Sequence, residues 1–158
     1  IRPRDFRATF GLALLELEHG AAAEALALFQ QAADISPRAA EVHYNLGLAL
    51  MKLARTREAA EMFRSSLALK PAQARPWLAL GYLAQTAGRE RESLDCYERA
   101  LSLDPSLVEA LVNAAAIRMN LGESIRAETL LRQALALSPG LPAARRNLEL
   151  LGKGGAPR

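Results

Sequence analysis

Four prolines, Pro37, Pro71, Pro105 and Pro139, follow one another at intervals of 34 residues, and they are half of the chain's eight. A fixed period between about 20 and 50 residues marks an array of stacked structural units, and it constrains the fold before any motif is read. Other positions keep the same interval. Phe29, Phe63, Tyr97 and Leu131 form a column of large apolar side chains. Ala25, Ala59, Ser93 and Ala127 precede them by four residues, and Ala32, Ser66, Ala100 and Ala134 follow by three. Spacings of four and three place each small–large–small trio on one face of a helix. Small residues let two helix backbones approach closely, and the bulky neighbour fills the groove beside the crossing.

Each unit then reads as two helices. Asp5 is suited to cap a first helix beginning near Phe6 and ending at Gly20, and a second helix spans about Ala22 to Ile35. Ser36-Pro37, Asp104-Pro105 and Ser138-Pro139 read as a cap followed by a first-turn proline, where the missing N–H costs nothing. In the second unit the turn falls around Arg55-Thr56, with Thr56 as the cap. Gly88 and Gly122, 34 residues apart, mark later turns. Leu141 to Leu151 starts a fifth first-type helix with no partner after it. Its other side carries Arg145, Arg146 and Glu149, the polar outer face that the end of a solenoid needs.

The run Trp77-x2-Leu80-Gly81, then Ser93-x3-Tyr97-x2-Ala100 and Pro105, resembles the tetratricopeptide repeat family, a helix-turn-helix unit of 34 residues. The resemblance implies an all-α right-handed solenoid. It sets a single domain over residues 1–151, with repeats at about 6–39, 40–73, 74–107 and 108–141, a capping helix over 141–151 and a disordered tail over 152–158. The match is weaker in the fourth unit, where Leu111 stands for Trp77 and Ala114-Ala115 for Leu80-Gly81.

Composition is consistent with a packed domain. Hydrophobic residues make up 51% and charged residues 23%, enough to bury a continuous core. The net charge of +3 is mild and forms no basic stripe, so nucleic acid is not an expected partner. The sequence has no targeting segment and no apolar run of membrane-span length, which favours a soluble, cytoplasmic protein without fixing the compartment. Opening on Ile1 rather than Met reads as excision from something longer.

The sequence gives no catalytic constellation: no glycine-rich phosphate loop, no Gly-x-Ser-x-Gly, and no His or Cys pair at metal-ligand spacing. No cofactor and no metal are therefore expected, and no enzymatic activity. His43 occupies the Trp77 column and reads as structural; His19 ends a helix, where a cation suits the dipole. Cys96, the only cysteine, adjoins Tyr97 with no nearby base and reads as an inert, half-buried thiol.

In the resembling family one face of each first helix lines a concave groove. Here that face carries Phe10, Leu14 and Leu17; Tyr44, Leu48 and Met51; Leu78, Tyr82 and Gln85; and Val112, Ala116 and Met119. Arg7, Glu41, Arg75 and Glu109 rim it. Such an apolar strip, with adaptable Met and rigid Tyr, suits an extended or helical peptide with apolar anchors. Asn45 and Asn113 would hold its backbone. A clamp for acidic chaperone tails, known in the family, is not expected, because Phe10 and Leu14 stand where Lys and Asn are needed and Ala79 where a second basic residue beside Arg75 is needed. An asparagine ladder like that of O-linked glycosyltransferases is interrupted by Gly11 and Ala79. The expected function is a non-catalytic protein-interaction scaffold. Its alternatives are a substrate-recruiting segment of a larger enzyme and a chaperone for apolar segments, with self-association as a further mode.

Overall fold

The computed structural model describes residues 5–154, and every regular element among them is helical. In chain order these are α1 (Phe6–Glu18), α2 (Ala22–Ile35), α3 (Ala40–Lys52), α4 (Thr56–Leu69), α5 (Ala74–Thr86), α6 (Glu90–Leu103), α7 (Val108–Asn120), α8 (Ser124–Leu137) and α9 (Pro142–Gly154). The fold is the all-α helix-turn-helix array expected from the period. The chain divides into two compact units at Pro76 and Trp77, within α5.

Both units are built on the columns. In the first, Ala25, Phe29 and Ala32 of α2 and Ala59, Phe63 and Ser66 of α4 are fully buried. In the second, Ser93, Tyr97 and Ala100 of α6 and Ala127, Leu131 and Ala134 of α8 are fully buried too. The two serines find partners inside. Ser66 Oγ donates to the Ala40 carbonyl and Ser93 Oγ to the Gly81 carbonyl, each at 2.8 Å, so neither hydroxyl is left unpaired in the core.

The helix ends follow local chemistry. Asp5 Oδ1 accepts from the Arg7 and Ala8 N–H groups at 3.0 and 3.3 Å, the expected cap. α1 ends at Glu18 rather than at Gly20. His19 is the C-cap, and Gly20 is the left-handed residue after it, with φ +85°. The N–H of Ala21 then reaches back to the Glu16 carbonyl at 2.9 Å, closing the end as a six-to-one turn. Arg55 to Leu50, Arg89 to Ala84 and Glu123 to Arg118 repeat that bond.

The left-handed position recurs at Gly20, Ala54, Gly88 and Gly122, with φ +85°, +58°, +73° and +76°. Only Ala54 carries a side chain there, at a cost of about 1 kcal/mol. Ala54→Gly is therefore expected to raise stability by about 0.5 kcal/mol at most, net of the roughly 0.4–1 kcal/mol that glycine's added freedom gives the unfolded chain. Chemical denaturation would read it, and a lowered midpoint would contradict the strain. Thr56 is not a cap. Arg55 holds the N-cap position of α4 and makes no side-chain cap bond, since the chain passes from one helix end straight into the next start.

The prolines also do something other than open helices. Ser36, Asp104 and Ser138 are the C-caps of α2, α6 and α8, and each carbonyl accepts from the residue three along, Ala39, Leu107 and Leu141. Pro37, Pro105 and Pro139 thus occupy the second position of a β-turn, where their fixed φ is already correct. At Pro71 the backbone makes a bend instead, and the Gln73 side chain supplies the bond, its Nε2 donating to the Lys70 carbonyl at 2.8 Å.

At the far end Ala144 is fully buried, and Leu141, Leu148 and Leu151 pack on the core of α7 and α8. Anchored by Leu151, α9 continues to Gly154, so residues 152–154 of the expected tail are helical. Residues 155–158 lie outside the described part. Glu149 is exposed in the column held by Ala13, Gly47, Gly81 and Ala115, which is small wherever a second helix closes on it.

An ion-pair cluster ties α6, α7 and α8 together. Arg118, whose side chain is only 14% exposed, pairs with Glu98 and with Glu123, and Arg126 also reaches Glu123. Desolvation pulls the Glu123 pKa up, but hydrogen bonds from Arg126 and Arg118 outweigh it, and the carboxyl titrates below its usual range. A folded pKa below the unfolded one stabilises the fold above the ordinary carboxylate range, and the gain is lost as pH falls through the lowered value. Compared with each protein's own neutral-pH stability, the wild type should therefore lose stability to acid from a higher pH than Glu123→Gln, which has no carboxylate there to protonate. Identical normalised acid curves would remove Glu123 from that role.

Candidate functional site

In the first unit the candidate side chains sit on α1, α3 and the first turn of α5. Phe10, Leu14 and Leu48 are half-buried against the core of α1, α2 and α3. Phe10 stacks on Phe6 at 5.6 Å between ring centroids and meets Phe29 edge-on at the same distance. Tyr44 lies tilted on Phe63 at 5.8 Å. Met51 is half-buried and Arg75 is exposed. Burial raises the Tyr44 pKa, and the charge and hydrogen bond of Arg75 partly offset that, so the neutral phenol and the guanidinium form one polar edge beside the apolar strip. Leu17 does not belong there: it is buried in the core, because it points at α2 from the last turn of α1. Asn45 is half-buried, and its Nδ2 already donates to the Glu41 carbonyl at 2.8 Å in its own helix, leaving Oδ1 as its outward-reaching group.

In the second unit Leu78 is half-buried against the core of α6 and α7, and Tyr82 is 48% exposed. Val112 and Met119 are half-buried against the core of α7 and α8. Gln85 and Asn113 are linked through a residue that the sequence marks only as core. The Tyr97 hydroxyl donates to Gln85 Oε1 at 2.7 Å and accepts from Asn113 Nδ2 at 3.3 Å. Burial raises the Tyr97 pKa against hydrogen bonds from Ser93 and Asn113, so the phenol stays protonated and able to donate. Both amides are thereby fixed, with Gln85 Nε2 and Asn113 Oδ1 as their remaining donor and acceptor. No local periodicity signals this, since the three residues lie 12 and 16 positions apart.

Val112 and Asn113 also line an open depression of about 450 Å³ together with Val108, Glu109, Ser138, Leu141 and Ala143. Met119 is not part of it. Leu141, just before α9, and Ala143, in its first turn, are additions to the candidate surface that their place at the closing helix had hidden.

The residues set aside on sequence are structural. His43 Nε2 donates to the Pro37 carbonyl at 2.8 Å, which fixes the ring against the preceding turn. Cys96 is buried on α6 rather than half-buried. Among the described residues no three His, Cys, Asp or Glu side chains come together as a metal site, and no helix is long and apolar enough to cross a membrane.

Comparison with known proteins places this architecture. A family model described as TPR repeat matches residues 13–53, and one described as tetratricopeptide repeat matches residues 44–107 and 78–142. No curated protein matches the chain. Among solved structures, the MamA protein aligns with a TM-score of 0.81 at 17% identity, over 94% of this chain and 81% of that one. YrrB, described as a TPR protein with an unusual peptide-binding site, aligns at 0.78 and 20% identity, over 97% of this chain and 79% of its own. The TPR domain of Arabidopsis OM64 aligns at 0.68 and 22% identity, covering 73% of this chain and 96% of that domain. At these identities the structures share the fold. With family models spanning residues 13–142, the chain belongs to the tetratricopeptide repeat family.

Proposed function

We propose that this chain is a non-catalytic scaffold that binds a peptide segment of another protein on the outward faces of its first helices. The observation that carries the reading is a repeated surface type. In each unit half-buried apolar side chains alternate with oriented polar groups: Phe10, Leu48 and Tyr44 with Arg75 and Asn45, and Leu78, Val112 and Met119 with Gln85 and Asn113. Apolar strips of this kind provide anchor pockets, and fixed amides match the donors and acceptors of a peptide backbone. The peptide-binding site in the description of YrrB supports the same use of the fold.

Tyr82 is the sharpest test, because its exposure lets it be truncated at little structural cost. Among peptides selected on the wild-type protein from a random display library, those bound by the first unit should lose about tenfold or more in affinity to Leu48→Ala and those bound by the second unit to Tyr82→Ala, the usual loss at interface anchors. Fluorescence polarisation would measure it on variants shown by circular dichroism to be folded. Full affinity in both folded variants would place the site elsewhere.

A further inference from the structure

The outer stripe of α1 has the composition of an interior face. At the same 34-residue register α3 carries Val42, Leu46 and Ala49, packed under α2, and α7 carries Ala110, Ala114 and Ile117, packed under α6; all six are buried. The matching residues of α1 are Ala8, Leu12 and Leu15, which are exposed, the two leucines at 41% and 51%. Beside them, a side chain at Gly11 would meet nothing within 4 Å. At 100° per residue Ala8, Gly11, Leu12 and Leu15 form one stripe.

We propose that this stripe is covered by the same stripe of a second copy of the chain, the two α1 helices running antiparallel about a two-fold axis between Gly11 and Leu12. The residue order is self-complementary in that arrangement, as an isologous contact requires. Ala8 faces Leu15 of the second copy, small against large, at both ends of the contact. The two Leu12 side chains meet beside the axis, and the two Gly11 positions let the backbones approach.

Charge follows the same symmetry. Arg7 and Glu18 flank one edge of the stripe, both exposed, and neither has an ion-pair partner among the described residues. Antiparallel pairing brings each Arg7 beside Glu18 of the other copy. It also sets the acidic C-terminal end of α1 next to the positive N-terminal end of the neighbouring helix, whereas within α1 itself Glu16 and Glu18 lie at the unfavourable end of the dipole. One helix face per copy makes a small interface, so the dimer is weak, with a Kd on the order of 10–100 μM.

Sedimentation velocity over micromolar to near-millimolar concentrations tests this. The wild type should pass from monomer to dimer, and Leu12→Glu/Leu15→Glu should stay monomeric with an unchanged circular dichroism spectrum. Arg7→Glu and Glu18→Arg should each weaken association several-fold, and the double variant should recover it. A wild type monomeric throughout overturns the proposal. So does a Leu12→Glu/Leu15→Glu protein that dimerises like the wild type, or a double charge variant no better than the singles. Binding of an unrelated amphipathic helix to this stripe, with the chain itself remaining monomeric, would also overturn it.

Discussion

Tyr97→Ala is expected to lower the stability of the fold by about 3–5 kcal/mol, the range for removing a buried aromatic ring. Tyr97 heads the largest fully buried side chains and packs against α7 through Ala110, Ala114 and Ile117. Its loss opens a cavity and also releases the hydroxyl that joins Gln85 to Asn113. Tyr97→Phe separates the two effects. It keeps the ring, deletes two hydrogen bonds, and should cost about 1–2 kcal/mol, because the Gln85 and Asn113 amides stay near enough to the surface to find water. In thermal melts a chain of this size moves by roughly 2–4 °C per kcal/mol, so Tyr97→Ala should fall by about 10 °C. Two variants melting together would mean that the ring's packing contributes little.

The second large effect is at Gly81. A Cβ placed there would lie 2.6 Å from Tyr97 Cε1 and 2.7 Å from Cδ1, well inside the roughly 3.5–4.0 Å at which carbons pack. The ring cannot turn aside, since it is fully buried and its hydroxyl is held by two amides. Overpacking at a pinned site lies at the upper end of its usual range, about 3 kcal/mol. Alanine returns about 1 kcal/mol through helix propensity, so Gly81→Ala should be destabilised by about 2 kcal/mol. The chain itself shows the compensated pair: in the fourth repeat Ala115 stands in the Gly81 column and Leu131 in the Tyr97 column, both fully buried. Ala13 with Phe29 is a second such pair, and that ring has no hydroxyl to tether it. Gly81→Ala/Tyr97→Leu should accordingly be more stable than the two single changes sum to. Strict additivity in that double-mutant cycle would show that ring and Cβ do not meet.

These sites also show what a sequence of this kind reveals. The small–large–small columns were readable because burial on a helix is periodic, and all twelve of their members are fully buried. The bounds of α2, Ala22 to Ile35, follow from the same spacing. What escaped depends on contacts or backbone angles that leave no period. The prolines look alike at a helix start and in a turn, and only the carbonyl bonds of Ser36, Asp104 and Ser138 tell them apart. Ala54 gives no sign of its left-handed backbone except its place in a glycine column. Of the candidate surface, the half-buried apolar positions were legible from their offset to the core face. The role of Tyr97 was not, because a core ring with a hydroxyl reads as a core ring until its neighbours are known.

The exposed carboxylate of Glu149 bears on what can pack against α9. Elsewhere in this column the residue is small, and at two positions an aromatic ring of the following helix lies on it: a Cβ at Gly47 would lie 2.5 Å from the Phe63 ring, and one at Gly81 would lie 2.6 Å from the Tyr97 ring. A helix closing on α9 in the same way would strip water from Glu149 on a surface that also carries Arg145 and Arg146. Burying a charge without matched partners costs several kcal/mol, more than one helix face of apolar contact returns. A single side chain therefore keeps this face of α9 in water, and replacing Glu149 with alanine would restore the small residue that the interior copies of that column carry.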